Sequence, residues 1–279
     1  MEKILNWIPE RRDSLSVTGN DQIAKAIMTT DTVPKETAVE IEINGVPVKI
    51  GATAKGAGMI SPNMATMFCF LTTDAAIEPA SLRKALRLAV NKSFNCITVD
   101  GDMSPNDTVF VMANGLAENT PIKSRTKGFN LFVEVLTEVC TRMAKALVRD
   151  GEGATKFITV RITEAQSVED ARKVGLAIAN SPLVKTAFFG ADPNWGRIIC
   201  AAGASGVPIE ENNVIIALNS FEIFKHGSPT HFNETSLRSS LGQSDIICAV
   251  DLGMGHAEAV IYTSDISYEY IKINAEYTT

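Results

Sequence analysis

The sequence predicts an α+β fold in which mixed sheets are layered with helices. Three observations carry this expectation. Strand-like and helix-like patterns are interleaved irregularly, not in the strict alternation of a doubly wound parallel sheet. An Asn-Gly pair between alternating residues demands at least one antiparallel hairpin. The C-terminal part is dense in strand patterns, which suits antiparallel pairing. No repeat or low-complexity linker divides the 279 residues, although length alone allows one or two domains of ~150 residues.

The elements follow in order. "AVEIEINGVPVKI" (38–50) alternates around Asn44-Gly45 and reads as a hairpin. "TMFCFLTTDAAI" (66–77) is a short, nearly continuous apolar run closed by Asp74, so it reads as a strand buried on both faces. "EPASLRKALRLAVNKSF" (78–94) has proline in its first turn and Leu82, Leu86, Ala89 and Val90 at helical spacing. "NCITVDGD" (95–102) and "DTVFVMANG" (107–115) read as strands around a polar loop. The longest helix is "FNLFVEVLTEVCTRMAKALVRDG" (129–151), with Phe132, Val135, Leu136, Val139, Met143 and Leu147 on one stripe and Gly151 as its stop signal. Strand "KFITVRITEA" (156–165), helix "SVEDARKVGLAIANS" (167–181) and strand "VKTAFFG" (184–190) come next. A helix opens in "ADPNWGRIICAAG" (191–203), where Trp195 reads as packing. The segments at 214–220, 246–253, 258–264 and "YEYIKINAEY" (268–277) complete a strand-rich tail.

Composition excludes several functions. The net charge is −6 and no Lys/Arg block stands out, so neither nucleic acid nor an anionic membrane is expected as a partner. The five cysteines lie apart in apolar surroundings without a Cys-x-x-Cys pair, which reads as buried free thiols in a reducing compartment, with no zinc site. No apolar run approaches ~20 residues. "MEKILNWIPERRD" is not a signal peptide. The expected location is the cytoplasm.

Motifs narrow the chemistry further. "GATAKGAGM" (51–59) has glycines and a lysine, but Lys55 precedes Gly56 and no Ser or Thr follows it, so it is not a phosphate-binding P-loop. Pro62 blocks the helix that a dinucleotide site needs after its glycines. "DGDMSPND" (100–107) lacks the glycine and glutamate positions of a calcium loop and reads as a polar turn. His226, His231 and His256 lack the spacing of a helical metal site. No metal is expected.

The segment "KGAGMISPNMATM" (55–67) places Ala65-Thr66 between a glycine-rich approach and an apolar strand. Threonine becomes a nucleophile when a base sits beside its hydroxyl, and an N-terminal threonine carries its own base in the α-amine. Such an amine titrates near ~7.7–8.0. It arises inside a chain only if the preceding peptide bond breaks, and the same hydroxyl can attack the Ala65 carbonyl in a bent backbone set by Gly56, Gly58 and Pro62. Read this way, Thr66 is one candidate among many threonines.

"KGAGMISPNMATM" resembles the processing motif of the ornithine acetyltransferase family, the bifunctional glutamate N-acetyltransferases and N-acetylglutamate synthases of arginine biosynthesis. "NKSFNCITVDGDMSPNDT", "RDGEGATKFITVRI", "FFGADPNWGRI" and "INAEYTT" are similar to that family too, so the likeness spans the chain. It implies the layered sandwich of self-processing N-terminal-nucleophile amidases and cleavage between Ala65 and Thr66. The products are an α chain, 1–65, and a β chain, 66–279, intertwined as one unit. It further implies Thr66 as the catalytic nucleophile and Thr29, Lys55, Thr66, Glu152, Asn274 and Thr279 as substrate-binding positions. The reaction implied is ping-pong transfer of acetyl from N2-acetylornithine to glutamate. No cofactor is implied, and acetyl-CoA stays open as a co-substrate. Pairs of αβ units, a heterotetramer, are the implied assembly. Lys55 suits a carboxylate, Glu152 an ammonium, and Asn274 and Thr279 neutral hydrogen bonds.

One departure is expected to matter. Family members carry, upstream of the position equivalent to Met1, a segment whose Thr-Gly pair forms the oxyanion hole, and this chain has no counterpart. Losing one such donor costs about 10²–10³ in rate. Two alternatives therefore accompany the acetyltransferase reading: an amidase or aminopeptidase using water as acceptor, and an inactive truncated remnant.

Overall fold

A computed structural model describes residues 19–61, 67–103 and 107–276. Helix α1 (Asn20–Ala26) leads into strands β1 (Lys35–Ile43) and β2 (Val46–Lys55). They form the expected hairpin, with Ile43 opposite Val46. Asn44 and Gly45 take φ of 52° and 82°, the left-handed pair that a two-residue turn between twisted strands requires. β3 (Phe68–Thr73) pairs antiparallel with β2, and β4 (Thr108–Ala113) lies parallel beside β3, giving the order β1-β2-β3-β4.

Helices α2 (Pro79–Asn91) and α3 (Lys127–Arg149) cover one face of this sheet. The α3 stripe is buried as the spacing predicts: Phe132, Leu136, Val139, Met143 and Leu147 join Ile43, Val48, Ile50 and Leu71 in one core. Each such side chain contributes about 1.5–3 kcal/mol of hydrophobic stabilisation. Thr126 caps the helix by accepting from the Phe129 amide.

The second sheet has the order β10-β5-β9-β6-β7-β8. Its strands are β5 (Phe157–Ala165), β6 (Ile215–Leu218), β7 (Phe221–Lys225), β8 (Ser228–Pro229), β9 (Asp245–Asp251) and β10 (Ala257–Ser264). β5 and β9 run parallel, and the other pairs are antiparallel. Helices α4 (Val168–Asn180), α5 (Pro182–Phe189), α6 (Trp195–Gly203) and α7 (Glu234–Leu241) contribute buried residues to a second core around Ile158, Ile162, Val250 and Ile261. Helix α8 (Tyr268–Glu276) follows β10. The class is α+β with mixed sheets, as the sequence predicts.

Several local expectations are overturned. Segment 184–190 belongs to helix α5: Ser181 accepts from the Val184 amide and Pro182 occupies the first turn, two start signals that outweigh its apolar run. The segment starting at Tyr268, whose pattern reads as a strand, forms α8 over its described residues, because the Ser267 hydroxyl accepts from the Glu269 and Tyr270 amides and opens a helix there. Segment 95–102 is not a strand. Ile97 makes only an isolated bridge to Tyr262, and the Val99 amide is spent on the Ile60 carbonyl. β3 is buried on one face only. Phe68, Phe70 and Thr72 face the side on which Phe110 and Met112 of β4 are each 54% exposed. Cys69, Cys140 and Cys248 are buried, but Cys96 is half-buried and Cys200 exposed. Trp195 packs as expected, stacking on Phe224 at 4.8 Å. Among the described residues no helix is long and apolar enough to cross a membrane.

Candidate active site

Four of the six expected binding residues come together. Thr29, Lys55, Glu152 and Asn274 line one cavity of about 310 Å³, with Gly58, Asp100, Asp102 and Tyr270 among its other walls. They arrive from the turn after α1, the end of β2, the turn after α3, and α8. Ala65, Thr66 and Thr279 lie outside the described residues.

Lys55 closes β2 opposite Phe68. It is 7% exposed, and its ammonium sits 5.3 Å from the centre of the Phe68 ring. A buried lysine facing a cavity is poised for an anionic ligand, because a charge out of water needs a counter-charge. Glu152 is held by its backbone: its amide donates to the Ala57 carbonyl at 2.8 Å. Its carboxylate accepts from Asn274 Nδ2 at 3.1 Å. A Cβ on Gly58 would stand 2.5–2.8 Å from the Glu152 carboxyl atoms, so a side chain there would displace that carboxylate.

A buried charge network fixes these parts relative to one another. Lys35 Nζ bridges Asp31 Oδ1 at 2.6 Å and Asp150 Oδ2 at 2.5 Å, with all three side chains nearly or wholly buried. Asp31 also accepts from the Gly56 amide at 2.7 Å and the Thr29 amide at 3.1 Å. Asp150 accepts from the Thr32 amide at 2.9 Å and from its hydroxyl. Burial pushes the Asp31 carboxyl up, but Lys35 and the two amides outweigh it and hold its pKa below the ordinary value. One cation thus ties the Thr29 turn, the Lys55-Gly56 strand end and the Glu152 turn together.

The backbone on both sides of residues 62–66 is clamped by carboxylates. Asp100 accepts from the Met59 amide at 2.6 Å and the Ile60 amide at 3.0 Å. Asp107 accepts from the Met67 amide at 2.6 Å. Burial raises the Asp100 pKa against these amide bonds. Burial, with Asp100, Asp102 and Glu152 nearby, pushes the Tyr270 hydroxyl up to about 12, so it stays neutral.

Asp31, Lys35, Asp150 and Tyr270 belong to this site or to the network behind it, and no motif in the sequence marks them. The signals present were Asp31 two residues after Thr29 and Asp150 two before Glu152; what was hidden is that Lys35 lies between them. Asp100, Asp102 and Asp107 stand in the stretch that the sequence presents as a polar turn. Larger hollows of about 550 and 580 Å³ lie on the exposed side of the first sheet, and none of the expected residues lines them.

The cavity is of amino-acid size and is walled by one buried cation, several carboxylates and a carboxamide, so it offers charges of both signs within one small enclosure. The family model of the ArgJ family matches residues 1–279. The arginine biosynthesis bifunctional protein ArgJ of Symbiobacterium thermophilum is 46% identical over 279 residues, covering 100% of this chain and 69% of that protein. Its namesake in Listeria monocytogenes serotype 4b is 49% identical over 263 residues, 94% of this chain and 66% of the relative. The crystal structure of arginine biosynthesis bifunctional protein argJ from Bacillus halodurans superposes with a TM-score of 0.72 at 41% identity, over 75% of this chain and 98% of that one. The chain belongs to the ArgJ family and has its N-terminal-nucleophile type of fold. It spans about two thirds of the length of the curated relatives it matches.

Proposed function

We propose that this chain transfers acetyl from N2-acetylornithine to glutamate through an acetyl-Thr66 intermediate, after cleaving itself between Ala65 and Thr66. The observation that carries the reading is the convergence of Thr29, Lys55, Glu152 and Asn274 on one cavity. That cavity lies where β2 ends and the segment leading to Thr66 begins.

In this reading the α-amine of Thr66 takes the proton of its own hydroxyl as Oγ attacks the acetyl carbonyl. The carbonyl carbon gains the bond to Oγ and loses the bond to the ornithine nitrogen, which leaves with the transferred proton. The glutamate amine then attacks the acetyl ester, and Oγ departs and recovers a proton. Lys55 holds a substrate carboxylate and Glu152 an ammonium, with Asn274 keeping the Glu152 carboxylate oriented. Thr279 is proposed to add a neutral hydrogen bond. Neither step changes an oxidation state, so no redox cofactor is required, and acetyl-CoA enters only as an alternative acetyl donor. The two fragments, 1–65 and 66–279, stay joined by the β2–β3 ladder running from Ile50–Thr73 to Lys55–Phe68. A pair of such units is the assembly proposed.

The test is a denaturing gel of the purified wild type and the Thr66→Ala variant, followed by ornithine release with and without glutamate. Two fragments from the wild type, an intact variant and glutamate-dependent release are expected. Release independent of glutamate points to a hydrolase. An intact wild type without activity overturns the proposal.

A further inference from the structure

The junction between β10 and α8 reaches back to the Glu152 turn at two points. Asp265 is buried, and its Oδ1 accepts from the Thr155 amide at 2.8 Å and the Lys156 amide at 2.9 Å. Its other oxygen accepts from the Thr155 hydroxyl. Two residues on, the Ser267 hydroxyl donates to the Gly153 carbonyl at 2.5 Å and accepts from the Glu269 and Tyr270 amides at 3.2 and 3.3 Å. The junction has a fixed base. The buried Lys185 ammonium of α5 donates to the Thr263 hydroxyl at 2.8 Å and to the Ser264 carbonyl.

A serine hydroxyl has one hydrogen to donate and two lone pairs to accept with, and Ser267 uses all three while 5% exposed. It caps the start of α8 and at the same time holds the backbone one residue after Glu152. Gly153 permits this contact, since a Cβ there would stand 2.3 Å from the Tyr270 nitrogen. One turn further along α8, Asn274 Nδ2 donates to the Tyr270 carbonyl and to Glu152 Oε2, each at 3.1 Å. We propose that Ser267 is a positioning residue for the ammonium-binding half of the cavity. It joins the Glu152 turn to the helix that carries Asn274, and so fixes where the Glu152 carboxylate meets an ammonium. The inference rests on the reading above in which Glu152 holds the ammonium of the substrate.

The other anchors of the turn define what Ser267 adds. Before Glu152, Asp150 is bonded to Lys35, and the Glu152 amide itself donates to the Ala57 carbonyl, so this side is held by the first sheet. After Glu152, the turn is held by Asp265 and Ser267, and of these two only Ser267 also bonds to α8. Without its hydroxyl, the hydrogen bond left between the turn and α8 among the described residues is the one from Asn274 to Glu152. A single bond between side chains open to water leaves their rotamers free. N2-acetylornithine carries its one ammonium on the side chain. Its recognition against an analogue without that charge therefore reports where the Glu152 carboxylate stands.

The test is steady-state kinetics with glutamate as acceptor and two acetyl donors, N2-acetylornithine and N-acetylnorvaline, which has the same side-chain carbons without the amine. Wild type is expected to favour acetylornithine in kcat/KM about 10- to 100-fold, a preference that Glu152→Gln largely removes. Ser267→Ala should cut this preference at least about fivefold, through KM for acetylornithine more than through kcat. Its Tm should fall by about 2–4 °C. In a Glu152→Gln background the same substitution should change the preference less than about twofold, because both residues act through one contact. Ser267→Gly, which weakens a helix start less than alanine does, should give the same loss of preference. A preference within about twofold of wild type in these variants overturns the inference, as does an equal fall once Glu152 is already replaced. A Tm loss above roughly 10 °C in both variants makes Ser267 a folding residue and overturns it too. A wild type that transfers acetyl without the preference overturns the role of Glu152, and this inference with it. One that transfers no acetyl overturns the proposed function and all that rests on it.

Discussion

Replacing Lys35 with methionine removes the cation shared by Asp31 and Asp150. Its ammonium lies 2.6 and 2.5 Å from the two carboxylates, out of contact with water. At an effective dielectric of ~20, each contact is a gross attraction of roughly 6 kcal/mol, much of it offset by the cost of bringing the ions out of water. Removing one partner leaves the others' desolvation uncompensated, and such truncations cost about 3–5 kcal/mol. At an unfolding entropy of about 2.1 cal/mol/K per residue, that corresponds to a fall in Tm of roughly 5–9 °C for a chain of this length.

The pH dependence has a definite sign. The Asp31 pKa is held below its ordinary value, so its contribution is present above the unfolded pKa of 3.8 and is lost as pH falls through the folded one. Without Lys35, burial dominates and Asp31 takes up a proton more readily. The gap between wild type and Lys35→Met is therefore widest near neutrality and narrows as pH falls through the carboxylate range. Thermal melts followed by circular dichroism between pH 4 and pH 8 measure this. A neutral-pH loss below about 1 kcal/mol, or a gap that widens in acid, refutes the role given to the network.

Glu152→Gln keeps an oxygen for Asn274 Nδ2 but removes the charge. Charged hydrogen bonds are worth about 1.5–3 kcal/mol, so steady-state kinetics should show KM for acetylornithine raised roughly 10- to 100-fold, with kcat changed less. Gly58→Ala puts a methyl group 2.5–2.8 Å from the Glu152 carboxyl atoms and should raise the same KM with little change in Tm; an unchanged KM removes the close approach from the account. Gly153→Ala is more damaging. Its φ of +64° disfavours a side chain, and the Cβ would collide with the Tyr270 backbone at the start of α8. A Tm loss of several degrees and weakened substrate binding are expected, measured by melting and calorimetry.

The chain announced some parts of this structure and concealed others, for physical reasons. The Asn44-Gly45 turn and the α3 stripe are local signals, and both are found where the pattern puts them. Segments 184–190 and 268–277 misled because an apolar or alternating run says little when a single capping serine decides the outcome. The binding residues were legible as motif positions. Their convergence was not, since Thr29, Lys55, Glu152 and Asn274 are brought together by the sheet, α3 and α8. The Asp31–Lys35–Asp150 network shows the limit most plainly. Asp31 and Lys35 are four residues apart, yet the bond to Asp150 crosses 115 positions of sequence, and no spacing rule reaches that far. Asp107 was seen as one acid in a turn because its meaning depends on Met67, which is 40 residues away.

The most direct measurement is the intact mass of the wild type and of Thr66→Ala after incubation with N2-acetylornithine in the absence of glutamate. If residue 66 is the acetyl carrier, the wild type yields a fragment beginning at that threonine and bearing one added acetyl group, which glutamate then removes, while the variant stays whole and unmodified. An acetyl group found on any other residue, or a variant that still divides, contradicts the mechanism.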